Sequence, residues 1–311
     1  MRVLLRLMTA LVGALPWGAL GPLGAAIGWI AGSVLRIRRQ HVEASMRAAG
    51  VERAPRVARA MYRSLGASAV ELLWLASGRG DATGHVAIDP ASAELWRAAK
   101  ARGRGVVIAA SHTGNWDLAA CAMARETELL VVTKRLSVRS LDRFWQGARA
   151  AQGISLADAR GALTRARAVL GRGGAVAMMI DQAPASPRHA AAVEFLGRPA
   201  LADRAPATFA AARGAPLVVA ASRRDAAGGH VLHVLAVLVP PARPTHVWIE
   251  EATVAAARAL DRFVRAHPSQ WLWLHRRWKG VPVDGASGES MLAPSWQETR
   301  SSSQVVASRA D

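Results

Sequence analysis

The sequence predicts an α/β fold: a mixed central sheet flanked by helices, preceded by an apolar helical segment at the N-terminus. Two observations carry this. From residue 86 onward six short β-rich runs alternate with helical stretches, the pattern of a sheet covered by helices. Residues 7–35 contain no charged side chain at all.

The uncharged run lies between Arg6 and the cluster Arg36, Arg38 and Arg39. It is long enough to enter or cross a bilayer. Pro16 and Pro22, with several glycines, predict a break into two shorter helical pieces, so a kinked span and an interfacial hairpin both fit. The arginines that follow it predict a cytoplasmic location for that end. A cleaved signal peptide fits less well, because the run exceeds the usual apolar core of such peptides and arginines follow at once.

From Pro55 to Ser77, Val57, Met61, Leu65, Ala69, Leu72 and Leu73 recur at the three-to-four spacing of an amphipathic helix. "GRGDATG", Gly78 to Gly84, ends it with turn chemistry. The β-rich runs are Val86–Ile88, Val106–Ala110, Leu129–Val132, Ala175–Ile180, Leu217–Ala221 and Val231–Val239. Helical stretches such as Leu141–Gln152 and Ala162–Leu170 separate them, and helical periodicity returns from Ile249 to Ala266. The expected organisation is a membrane-anchoring segment over 1–35, a folded domain over 36–283, and a polar tail over 284–311 with the composition of disorder.

The formal charge is +18, and all but three of the 40 basic residues are arginine. Such a surface attracts nucleic acid, anionic lipid or an acidic carrier protein. The basic residues are scattered along the whole chain and no zinc finger or RNP motif occurs, so nucleic acid is not the expected partner. A membrane-tethered nucleic-acid binder remains only a remote alternative. The lone cysteine, Cys121, cannot form an intramolecular disulfide and matches no nucleophile motif, which predicts a packed apolar residue. No metal-ligand spacing is present.

Chemistry concentrates in "GVVIAASHTGNWDLAACAM", Gly105 to Met123. An acid five positions after a histidine is a cheap signal: nine histidines in a chain with 22 acidic residues give about 0.6 such pairs by chance. The chain has three, His112 with Asp117, His189 with Glu194, and His246 with Glu251. Context separates them. His112 ends an apolar strand, where open α/β sheets place ligands. Thr113 and Gly114 permit a sharp turn, and Asn115, Trp116 and Asp117 open a helix whose N–H groups face the same crevice. His189 sits in a proline-bounded loop and His246 after a proline-rich linker. Asp181 and Gln182 end another predicted strand and should open onto the edge that carries His112.

"SHTGNWD" resembles the His-x4-Asp/Glu motif of the bacterial lipid A biosynthesis acyltransferases, the late branch of the lysophospholipid acyltransferase superfamily. Four further blocks follow in family order. "RAAQG" at Arg149–Gly153 is similar to an Arg-x3-Gly element, "IDQAP" at Ile180–Pro184 to an Asp-Gln block, "VEFLGRPA" at Val193–Ala200 to a Val-x-Phe-Phe-Gly segment, and "HPSQWLWLHRRWK" at His267–Lys279 to a closing Trp-x-Trp-x-His-x-Arg-Trp block. Together they span about residues 1–280. Thr113, Asp117 and Leu196 depart from the family's usual aromatic or aliphatic residue, Glu and Phe, which bears on the acceptor.

The resemblance implies transfer of a fatty acyl group from an acyl carrier protein or coenzyme A thioester, as co-substrate, to a lipid hydroxyl, with no other cofactor and no metal. It implies an enzyme at the cytoplasmic face of the inner membrane, held to an anionic membrane surface. His112 would be the general base and Asp117 would hold its second ring nitrogen. Arg149 and the backbone N–H groups around Gly114 to Trp116 are the oxyanion candidates, with Thr113, Gly114, Asn115, Trp116, Asp181 and Gln182 lining the substrate site. The acceptor is a lipid A precursor or related glycolipid, with a phosphatidylinositol mannoside as an alternative. The cluster Trp271, Trp273, His275, Arg276, Arg277 and Trp278 fits either a lipid-headgroup contact or core packing with a basic rim.

Overall fold

The chain opens with two apolar helices, α1 (Arg2–Gly13) and α2 (Trp17–Trp29), the second running into a π-helical turn over Ile30–Val34. This computed structural model describes residues 2–81, 83–158 and 161–279; the tail predicted over 284–311 lies outside the described residues. The chain breaks at Pro16, as the sequence predicts, but Pro22 sits inside α2. Having no N–H, Pro22 leaves the Gly18 carbonyl without its intrahelical donor.

Helix α3 (Arg39–Ala48) leads into α4 (Ala54–Ala76), the amphipathic helix read from the sequence at 55–77. Helices α2 and α4 cross with their backbones almost touching. A Cβ on Gly28 would lie 2.0 Å from the Tyr62 carbonyl oxygen, and one on Gly66 would lie 2.2 Å from that of Gly24. Only small residues allow such an approach. The outward faces of the two apolar helices expose Leu7, Leu11, Leu23, Ile27 and Trp29.

The sheet follows. In chain order its elements are β1 (Val86–Ile88), α5 (Pro90–Lys100), β2 (Val106–Ala110), α6 (Trp116–Glu126), β3 (Leu129–Val132), α7 (Arg139–Ala151), β4 (Ser155–Ala157), α8 (Ala162–Gly171) and β5 (Ala175–Met179). An antiparallel hairpin, β6 (Ala190–Phe195) with β7 (Arg198–Asp203), stands apart. Helix α9 (Ala205–Arg213), β8 (Leu217–Arg224), β9 (His230–Leu238) and α10 (His246–Ala266) complete the fold. Seven strands pair in the order β1-β9-β8-β2-β5-β3-β4. All contacts are parallel except β8 with β9, so the sheet is mixed.

Side chains alternate across the sheet. Val107, Ala109, Val176 and Val219 face one core, closed by α8, α9 and α10, and Val106, Ile108, Val218 and Val234 face the other, under α5 and α6. Period-two burial of this kind is what a sheet covered on both sides requires. Because β2, β3 and β5 run parallel, their C-terminal ends share one edge.

Candidate active site

The loop from Ser111 to Asn115 leaves β2 at that edge and is pinned on all sides. The carbonyl of His112 accepts the Leu272 N–H at 3.0 Å, and Gly114 donates its N–H to the Gln270 carbonyl at 2.9 Å. Thr113 is buried; its carbonyl accepts from Ser222 Oγ at 2.8 Å and its Oγ1 from the Ser222 N–H at 3.1 Å. Gly114 has φ +56, and a Cβ there would lie 2.7 Å from the Ser222 carbonyl oxygen. Both the left-handed backbone and the close approach call for glycine. Asn115 then caps α6, its Oδ1 accepting the Leu118 N–H at 3.1 Å.

His112 faces Asp181 because of strand register. β2 and β5 pair Ala110 with Met179, and two residues further along each chain stand His112 and Asp181. Asp181 Oδ1 lies 2.9 Å from His112 Nδ1, while Oδ2 accepts the His112 backbone N–H at 2.8 Å and the Trp271 indole N–H at 2.9 Å. Asp181 is buried, and burial alone would raise its pKa. The charge of His112, its two hydrogen bonds and the indole outweigh that and hold the carboxyl at about 2. An ionised Asp181 places the ring proton on Nδ1 and leaves the Nε2 lone pair free to accept a proton.

The expected pairing of Asp117 with His112 is thereby corrected. Asp117 occupies the first turn of α6 and accepts a hydrogen bond from Arg149 Nε at 2.7 Å. Arg149 comes from the last turn of α7, 32 positions away, and its guanidinium lies 5.7 Å from the Trp145 ring centroid. The ring of His112 is gripped from the neighbouring strand, whereas the helix acid points to the neighbouring helix. The backbone donors expected from Gly114 to Trp116 are fewer too, since the Gly114 N–H is already engaged. Those of the first turn of α6, at Trp116 and Asp117, have no carbonyl within their helix to bond.

Gln182 and His275 complete the polar cluster. Gln182 Nε2 lies 3.3 Å from each ring nitrogen of His112 and 2.9 Å from Nε2 of His275. Burial, assisted by the neighbouring His112, pushes the pKa of His275 down, so a neutral His275 accepts the amide hydrogen of Gln182. Trp116 meets His112 edge to face, with ring centroids 5.0 Å apart.

Behind these groups a cleft of about 890 Å³, counting the open space at its mouth, runs between α6 and the sheet. Ala110, Ala177 and Ala220, on three adjacent strands, face Ala119 and Ala120 of α6 across it. Alanine on both walls holds the helix off the sheet without filling the gap. Trp96, Met123 and Leu232 extend the apolar lining, and Ser111, Trp116, Asp117 and Arg149 border it with polar groups.

A second buried cluster, not expected from the sequence, lies beneath the loop. Glu71 of α4 accepts from Asn115 Nδ2 at 2.8 Å, from Arg224 NH2 at 3.0 Å, and lies 3.0 Å from His230 Nε2. Arg224 NH1 also donates to its other oxygen. Burial would raise the pKa of Glu71, but the bonds from His230 and Arg224 bring it below the usual carboxylate range. Glu71 was hidden by its position in an otherwise apolar helical run. The C-terminal block divides between both readings: Trp271, Trp273 and Arg277 are buried, whereas Arg276 is exposed. Cys121 is buried, as expected, and burial pushes its thiol up to about 12.

A search of curated proteins finds no match. The family model of bacterial lipid A biosynthesis acyltransferase matches residues 3–280, nearly the whole described chain. The chain is therefore a member of the bacterial lipid A biosynthesis acyltransferase family.

Proposed function

We propose that this protein is a membrane-associated O-acyltransferase. It moves a fatty acyl chain from an acyl carrier protein or coenzyme A thioester to a hydroxyl of a lipid A precursor or related glycolipid. The observation that supports this reading best is a carboxylate-held histidine packed against Trp116, which with Ser111, Asp117 and Arg149 lines the polar end of an apolar cleft.

The acyl chain lies in the cleft under α6 with its thioester carbonyl beside Trp116, Asp117 and Arg149. His112 Nε2 removes the acceptor's hydroxyl proton as that oxygen attacks the carbonyl carbon. Asp181 stabilises the imidazolium that forms, and the tetrahedral oxyanion is met by Arg149 and the free N–H groups of the α6 first turn. Collapse breaks the C–S bond. The departing sulfur takes the proton from His112, so ester and thiol are the products and no covalent enzyme intermediate arises. Asp117 fixes the Arg149 fork rather than the base.

The uncharged helices at residues 7–35 serve as the membrane anchor, with the catalytic edge on the cytoplasmic face of the inner membrane. A helix over Trp17–Val34 has the length and apolar composition of a span, and only 22% of it is buried. The test is lipid mass spectrometry on cells lacking the protein and complemented with wild type or His112→Ala. The wild type should restore one added acyl group and the folded variant should not, since loss of a general base costs about 10² to 10⁴ in rate. Equal restoration by both would refute the mechanism.

A further inference from the structure

Two exposed segments flank the His112 crevice, and neither has a role in the chemistry above. The first is residues 34–39, "VLRIRR", which joins the apolar helices to α3. It lies at the crevice because His41, in the first turn of α3, places Nε2 3.2 Å from the His275 carbonyl oxygen. The second is residues 133–139, "TKRLSVR", which leaves β3 at the same sheet edge as His112 and Asp181. Asp142 Oδ1 accepts the Leu136 N–H at 2.9 Å and fixes that loop to the first turn of α7.

The two segments share an unusual composition. Leu35, Ile37, Leu136 and Val138 are 65%, 48%, 44% and 46% exposed. They alternate with Arg36, Arg38, Arg39, Lys134, Arg135 and Arg139, and no acid occurs in either stretch. Arg36, Arg38, Lys134 and Arg139 make no ion pair among the described residues, whereas Arg39 is held by Glu43 and the exposed Arg135 lies 3.7 Å from Asp158. Aliphatic tips between unpaired cations match a surface that is anionic outside and hydrocarbon just beneath. The first segment is also continuous with the exposed apolar faces of α1 and α2.

We propose that residues 133–139 form a second, interfacial contact with an anionic bilayer, in which Leu136 and Val138 enter the acyl region while Lys134, Arg135 and Arg139 meet lipid phosphates. Together with residues 34–39 it rims the crevice, so that a lipid acceptor passes from the bilayer to His112 without crossing water. This rests on the acyl-transfer reading for its purpose, but not for its test.

Cys121 is 1% exposed with its thiol pKa raised, so Ser137→Cys supplies the one readily labelled thiol in the full-length chain. With an environment-sensitive fluorophore there, the protein is reconstituted into vesicles of phosphatidylcholine with and without phosphatidylglycerol. Emission should shift to the blue in the anionic vesicles, and brominated lipids should quench it more than iodide does. Emission quenched by iodide alone would place the loop in water and overturn the proposal. A shift seen only on adding acyl carrier protein would overturn it in favour of a protein-docking loop.

Leu136→Ser with Val138→Ser gives the functional arm. Transfer to vesicle-embedded acceptor should fall at least about tenfold with detergent-dispersed turnover unchanged, the loss expected from partial insertion of two aliphatic side chains, whose full burial would give more than about a hundredfold. Equal loss in both media would indicate a folding or catalytic defect and count against the proposal. Fluorophore insertion without any acyl transfer would sink the functional reading while leaving this contact standing.

Discussion

Asp181 Oδ1 lies 2.9 Å from Nδ1 of His112, and its second oxygen holds the backbone N–H of the same histidine at 2.8 Å. One carboxylate therefore fixes both the ring and the main chain that carries it. Asp181→Asn should lower kcat by at least about tenfold with little change in KM for the thioester, because an amide does not enforce the productive tautomer. Asp117→Asn should act differently, through a displaced Arg149. Steady-state kinetics of the two variants would separate these roles; identical kcat at Asp181→Asn would assign it a packing function only.

The same carboxyl makes a pH prediction. Its folded pKa, about 2, lies below the ordinary 3.8, so its contribution to stability is present above pH 4 and is lost as pH falls toward 2. By linkage this is on the order of 2 kcal/mol. Thermal melts from pH 5 to pH 2 should show the wild type losing more stability than Asp181→Asn. Parallel curves would contradict the depressed pKa.

Arg149 reaches Asp117 through Nε at 2.7 Å, which leaves its terminal nitrogens to the cleft. Arg149→Lys should keep the fold and lose most turnover, since an ammonium cannot bond the carboxylate and the reacting carbonyl in one plane. Arg143→Lys, exposed on the same helix, should be nearly silent. Equal activity of the two variants would limit Arg149 to its pairing with Asp117 and leave the oxyanion to backbone donors.

Glu71 carries the support beneath the loop. Glu71→Ala leaves the part-buried Arg224 and the buried His230 without their carboxylate partner and removes the acceptor that holds Asn115. Breaking a buried pair from one side costs about 3 to 5 kcal/mol, so the melting temperature should drop by several degrees or more. Chemical denaturation reads the loss directly, and a change below about 1 kcal/mol would mean that water replaces the carboxylate.

The alanine walls of the cleft should set acyl length. Ala220→Leu narrows the gap toward β9 on a strand that carries no group of the proposed mechanism, so preference should shift to shorter acyl donors with kcat on the best donor retained. Competition between thioesters of different length would show it. An unchanged preference would place the chain elsewhere.

Much of this was legible in the residues. Six of the sheet strands are runs of Val, Ile, Leu and Ala long enough to declare themselves, and His112 stood out because a strand, a turn and a helix start meet there. Strand β4 and the hairpin escaped notice. β4 is only three residues long, and the hairpin's alternation is muted by three alanines and Pro199. The ring partner of His112 was misread for a physical reason. Spacing within one segment shows only which residues share a turn, whereas the grip on His112 comes from register between β2 and β5, whose paired residues lie 69 positions apart along the chain. Glu71 was invisible for a similar reason, since its three partners sit on elements that sequence alone does not bring together.

The crossing of α2 over α4 has a mechanical consequence. Where peptide backbones touch, there is no layer of bendable side chains to absorb displacement, so the two helices behave as one beam. That beam ends at Ser68 and Glu71, whose bonds reach Gly114 and Asn115 directly. Tilting the apolar helices by a few degrees would therefore be felt at the turn beside His112. A bulky residue at Gly28 or Gly66 should act as a wedge in a hinge, moving the His112 loop that it never touches.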